Sequence, residues 1–112
     1  MVERARNLII GDPFDSKTEI GPLISKEQIE KVMSFAQTAE ESDDTNILCG
    51  GKRCESFQKG YYFEPTIVET KSNQNTVCQE EIFGPFATIL EFDGIDEAIE
   101  LANDSELSLI HI

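Results

Sequence analysis

Histidine is nearly absent from this chain: the single one is His111, at the C-terminal end. With no imidazole in the body of the sequence, Ser-His and Cys-His nucleophilic catalysis has no base to draw on. No G-x-G-x-x-G and no Walker-type glycine loop occurs, so the chain supplies no phosphate cradle of its own. No apolar run approaches the roughly 20 residues needed to cross a bilayer, and Met1-Val2-Glu3-Arg4-Ala5-Arg6 lacks the apolar stretch of a secretory signal. The 3 cysteines are odd in number, which argues against a disulfide framework. Cys49 and Cys54 lie near each other and Cys78 stands alone, short of the close-set ligands of a zinc site. Free thiols in a reducing, cytoplasmic compartment are the expectation. Basic residues are also scarce, 9 against 22 acidic, for a formal charge of −13. That excess repels phosphate backbones and anionic lipid, so neither nucleic acid nor a membrane is an expected partner.

What is present suits a folded α/β piece. A chain of 112 residues is one domain at most, and its 39% hydrophobic content is adequate for a core. Residues 2–10 carry a short helical pattern running into Leu8-Ile9-Ile10, which Gly11-Asp12-Pro13 stops. From Phe14 to Ile24 no period is clean, and an extended surface segment is expected, with a turn at Gly21-Pro22. Ser25-Lys26-Glu27-Gln28 reads as a capping box, the Ser25 hydroxyl accepting from the Gln28 amide while the Gln28 side chain reaches back. Ile29, Val32, Met33, Ala36 and Ala39 follow on one helical face, predicting a helix to about Glu41.

Short apolar runs then take over. Ile47-Leu48-Cys49, ended by Gly50-Gly51, predicts a strand and a turn, and Thr66-Ile67-Val68 has strong β preference. Pro65 cannot donate to a ladder, which predicts an edge or interrupted strand there. A further strand is expected over 87–92, and Ile95, Ala98, Ile99 and Ala102 mark a second amphipathic helix ending near Asn103. Helices and strands alternating in this way fit part of a twisted open sheet with flanking helices.

The most informative stretch is Gln79-Glu80-Glu81-Ile82-Phe83-Gly84-Pro85. Two carboxylates beside a buried aromatic, held at a sharp turn, can hydrogen-bond a polyhydroxylated ligand and stack on its ring. On pattern alone Glu80-Glu81 reads as a solvated acidic pair, because glutamate is mostly exposed, and Phe83 as a plain core residue. The neighbouring motifs change that balance. They are Gly11-Asp12-Pro13-Phe14-Asp15, Thr18 to Ile24, Gly50-Gly51, Gly60-Tyr61-Tyr62-Phe63-Glu64-Pro65-Thr66, and Ala98 to Ser105. In that order and spacing the chain resembles the NAD(P)-dependent aldehyde dehydrogenases, from about Val2 to Glu106. The match is to the later part of that family's catalytic domain, after its cysteine nucleophile.

The resemblance implies a fold and a chemistry. The family's catalytic domain is a largely parallel, Rossmann-like sheet, of which residues 1–106 would be a part. Glu81 matches the family residue that binds the nicotinamide ribose, and a carboxylate accepting from both vicinal hydroxyls makes charge-assisted bonds of the stronger kind. Phe83 matches the aromatic that packs beside the nicotinamide. Gly84 and Pro85 would fix the turn that presents both, and Phe86 stands where the family often has a smaller aliphatic residue. In the family a cysteine thiolate attacks the aldehyde, hydride passes to the nicotinamide, and a glutamate-activated water hydrolyses the thioester. None of Cys49, Cys54 or Cys78 sits in the nucleophile's motif, so no catalytic residue and no metal ligand is assigned.

The function implied is oxidation of an aldehyde or semialdehyde to the carboxylic acid with NAD or NADP, by a parent expected to be a homo-oligomer. The 112-residue chain alone is expected to be inactive. The alternative is a stand-alone, non-catalytic remnant that acts as a binding module. After Glu106 the family would usually continue with an aromatic and Gly-Leu. Here Leu107-Ser108-Leu109-Ile110-His111-Ile112 is what CTG-TCT-CTT-ATA-CAC-ATC encodes, the mosaic end of transposase-based sequencing libraries. Residues 107–112 are therefore expected to be adaptor-derived, which resequencing the locus into the same codons and a natural stop would disprove.

Overall fold

The longest helix, α2 (Lys26–Glu41), shows how the sequence builds the centre of this molecule. Ser25, in extended conformation, caps it by accepting from the Gln28 amide at 3.1 Å. The reciprocal half of the capping box is absent, because the Gln28 side chain turns away to the loop at residues 82–83. Ile29, Val32, Phe35, Ala36 and Ala39 form the buried stripe. Phe35 takes the place expected for Met33, which is 44% exposed. Spacings of three and four residues keep Val32, Phe35, Ala36 and Ala39 on one side, whereas Met33 is rotated about 100° from Val32.

The computed structural model describes residues 1–108. Residues 109–112, with His111 and most of the segment expected to be adaptor-derived, lie outside it. The described elements run α1 (Val2–Arg6), α2, β1 (Thr45–Cys49), β2 (Thr66–Thr70), α3 (Thr76–Gln79), β3 (Phe86–Leu90) and α4 (Ile95–Asn103). The class is α/β. β1, β2 and β3 form one sheet in that order, with β1–β2 antiparallel and β2–β3 parallel, so pairing within this stretch is mixed. Thr66 pairs with Phe86 and Thr70 with Leu90 in the parallel ladder.

Several elements differ from the sequence reading, each for a local reason. Helix α1 stops at Arg6, and the chain beyond it becomes extended, Ile10 bridging Ile20. Gly21-Pro22 makes no turn; it runs between that bridge and a second one from Leu23 to Tyr61. β2 lies in the middle of the sheet and not at its edge. Pro65 precedes the strand by one residue, so its missing N–H falls outside the ladder, and its carbonyl accepts from the Cys49 thiol at 3.6 Å. The short α3 had no sequence signal beyond Asn75, whose side chain caps it by accepting from the Val77 amide at 3.2 Å.

Alternation along the strands divides the packing. Val68 faces α2 and joins Ile29, Val32, Phe35, Phe63, Val77 and Ile82 in the core. Ile67 and Ala87 look the other way, onto an apolar groove of about 410 Å³ shared with Ala5, Leu8 and Ile20. α4 buries no residue, and Ile95 and Ile99 of its apolar face are exposed. Its C-terminal end is nevertheless fixed. Asn73 donates to the Leu101 carbonyl at 3.0 Å, Gln74 to the Asp104 carboxylate at 2.6 Å, and Gln79 to the Asp104 carbonyl at 2.8 Å.

Candidate functional site

Residues 80–85 leave the end of α3 and lead directly into β3, on the α2 side of the sheet. Their placement follows from one anchor. Ile82 is 8% exposed and belongs to the core, which forces its neighbours Glu81 and Phe83 outward. Phe83 is 70% exposed, so the aromatic expected to be buried is presented to solvent and does not fill the core. It also carries the only positive φ among the described non-glycine residues, +55°. A bulky residue in that left-handed region is a genuine outlier, of the kind that collects at ligand sites.

Gly84 contributes differently from the sequence reading. It does not take the left-handed conformation; Phe83 does. Gly84 is required because a Cβ there would lie 2.7 Å from Val32 Cγ2, on a fully buried, β-branched side chain with no room to yield. The glycine thus lets the loop press onto α2. Phe86 is half-buried and packs against the core cluster, at the point where the loop becomes strand.

Three carbonyls in succession tie this loop to α2. Lys31 Nζ donates to the Glu81 carbonyl at 2.9 Å, and Gln28 Nε2 donates to the carbonyls of Ile82 at 3.0 Å and Phe83 at 2.9 Å. The sequence reading missed both side chains as parts of this site. Their partners are 50 to 55 residues away, and no local pattern in the sequence encodes such a contact.

The resulting surface can receive a ligand. A groove of about 450 Å³ is bounded by Glu81, Phe83, Cys78, Asn73, Thr88 and Leu90, among others. The Glu81 carboxylate is exposed, and among the described residues it makes no hydrogen bond, only its backbone carbonyl being engaged. It therefore keeps its acceptor capacity for ligand hydroxyls. Glu80 is likewise exposed. Burial pushes the half-buried Cys78 thiol above its ordinary pKa, which opposes the thiolate a nucleophile needs. Cys49 and Cys54 are buried and all three cysteines are free. No group of three or more His, Cys, Asp or Glu converges as a metal site among the described residues.

The segment is α/β and presents an exposed carboxylate and an exposed aromatic side by side on a turn held by Gln28 and Lys31. The model of the aldehyde dehydrogenase family matches residues 1–111, and the chain belongs to that family. Over 109 residues it is 47% identical to the chloroplastic betaine aldehyde dehydrogenase of Atriplex hortensis, covering 97% of this chain and 22% of that protein. An aldehyde dehydrogenase structure from Burkholderia cenocepacia, described as putative, superposes with TM-score 0.88 at 43% identity, over 94% of this chain and 22% of that one. The Staphylococcus aureus betaine aldehyde dehydrogenase, solved in complex with NAD+, gives TM-score 0.86 at 38% identity, over 93% and 21%. The chain thus spans about a fifth of the length of these relatives.

Proposed function

We propose that this chain is a segment of an NAD(P)-dependent aldehyde dehydrogenase and forms one wall of the nicotinamide end of its cofactor site. The observation that carries the reading is the exposed, left-handed Phe83 beside the free Glu81 carboxylate, on a turn anchored by Ile82. When bound, the nicotinamide cofactor supplies the hydride acceptor. Glu81 holds the ribose by accepting from its hydroxyls, and the Phe83 ring limits where the nicotinamide can lie, since small misplacements of reacting groups lose rate. The complete protein converts an aldehyde or semialdehyde to the acid. The nucleophile and the water-activating glutamate come from residues other than those of this chain, because none of its three cysteines sits in the nucleophile's motif and burial raises the Cys78 thiol. A cytoplasmic location belongs to the same reading.

Two measurements test this. Glu81→Gln removes the charge and keeps the shape, and should weaken NAD+ binding by the complete protein roughly tenfold to a hundredfold, the size of a charge-assisted hydrogen bond. Unchanged affinity would remove Glu81 from the site. The purified 112-residue chain should form no NADH from aldehyde and NAD+; aldehyde-dependent absorbance at the NADH band from this chain alone would refute the division of labour.

A further inference from the structure

We propose that Gln28 is a positioning residue that sets the backbone angles of Phe83, and through them the orientation of the nicotinamide-binding turn; the inference rests on the cofactor-site reading above. The argument is geometric. The φ and ψ of a residue are the rotations of the two peptide planes that flank its Cα. The carbonyl of Ile82 belongs to the plane before Phe83 and the carbonyl of Phe83 to the plane after it. Gln28 Nε2 donates to both, at 3.0 and 2.9 Å. One amide group of one side chain therefore fixes both rotations at the one non-glycine residue, among those described, whose φ is positive.

The rest of the contact supports the same role. Lys31, a turn further along α2, holds the preceding carbonyl, that of Glu81, at 2.9 Å. Gly84 supplies the closeness, since a Cβ there would strike Val32. Gln28 itself is held in register by the Ser25 cap on its backbone amide and is half-buried. Left-handed conformations at bulky residues persist only where surrounding structure over-determines them. Here the over-determination comes from α2, and Gln28 contributes the two bonds on either side of the strained residue.

The test compares Gln28→Ala with Gln28→Glu in the intact protein. It reads NAD+ affinity by calorimetric titration and, without cofactor, the carbonyl 13C and amide 15N resonances of residues 82–84. Glutamate keeps the shape of glutamine but turns an acceptor toward two acceptors. The clamp therefore predicts that Gln28→Ala binds NAD+ about tenfold more weakly, the scale of two neutral hydrogen bonds, and that Gln28→Glu binds more weakly still. The resonances of Ile82, Phe83 and Gly84 should move in both variants before any cofactor is added. A side chain that only fills space gives the opposite order, the isosteric Gln28→Glu being the milder change, and that order overturns the proposal. So does loss of affinity with the cofactor-free resonances unmoved, which would mean that Gln28 acts on the cofactor directly. If the loop resonances respond but the wild type binds no NAD+, the clamp stands and the cofactor-site reading falls.

Discussion

At the residue scale, Phe83 holds the most information. Its φ of +55° stores strain of about 1–2 kcal/mol for a side chain with a Cβ, and its ring is 70% exposed and so gains little from burial. Stability and binding should therefore part company there. Phe83→Asn, a residue that tolerates the left-handed region, should leave the fold as stable or stabilise it by about 0.5–1 kcal/mol. It should also weaken NAD+ binding. Thermal denaturation and a cofactor titration on the same variant check both halves. Gly84→Ala should act in the opposite direction, destabilising by about 1–3 kcal/mol through overpacking against Val32; a denaturant titration unchanged from wild type would show that the loop can retreat from α2.

At the element scale, the reach of the sequence depends on how local each determinant is. α2 was legible because its cap and its 3.6-residue stripe lie within a few residues of each other, and only Phe35 and Met33 were exchanged. The strand expected over 87–92 exists but runs Phe86–Leu90, and α4 was legible from its spacing, ending at Asn103. β2 was found but misplaced, because Pro65 reads as a strand breaker until its position one residue outside the ladder is known. At the candidate site, Glu81 and Phe83 stood out in the sequence as parts of one motif, and the structure places both exposed on one turn. The left-handed angle was not legible, since the adjacent Gly84 is the natural candidate for it, and neither was the Gln28 clamp from the far end of the chain.

The start of α2 also gives a pH dependence. Hydrogen bonds from its own backbone amide and then from Ser25 hold the Glu27 carboxyl below its ordinary pKa of 4.5. A depressed folded-state value means that the stabilisation is fully present above the unfolded pKa and fades as pH falls through the folded one. Helical ellipticity should thus begin to weaken only below about pH 4.5, and Glu27→Gln should flatten that acid limb. An acid limb of equal slope in the variant would assign it to other carboxylates.

At the scale of the whole molecule, 22 acidic residues face 9 basic ones. The ion pairs found among the described residues are surface ones, Arg4–Glu19 at 2.9 Å and Lys26–Glu30 at 3.5 Å. Self-repulsion should therefore outweigh pairing. Added sodium chloride, which shortens the Debye length from about 30 Å to about 8 Å, should raise the thermal midpoint. A midpoint that falls with salt would show that specific ion pairs dominate.

The sheet carries one more consequence. Among the described residues β3 pairs with β2 alone, and its other edge, along Ala87-Thr88-Ile89-Leu90, has no strand partner and carries neither a charge nor a proline. Such an edge is a template for any strand of matching length. At high concentration of the 112-residue chain, that template invites a second copy of the same strand. The expected product is cross-β fibres seeded at β3, and a single lysine at Thr88 would be enough to discourage them.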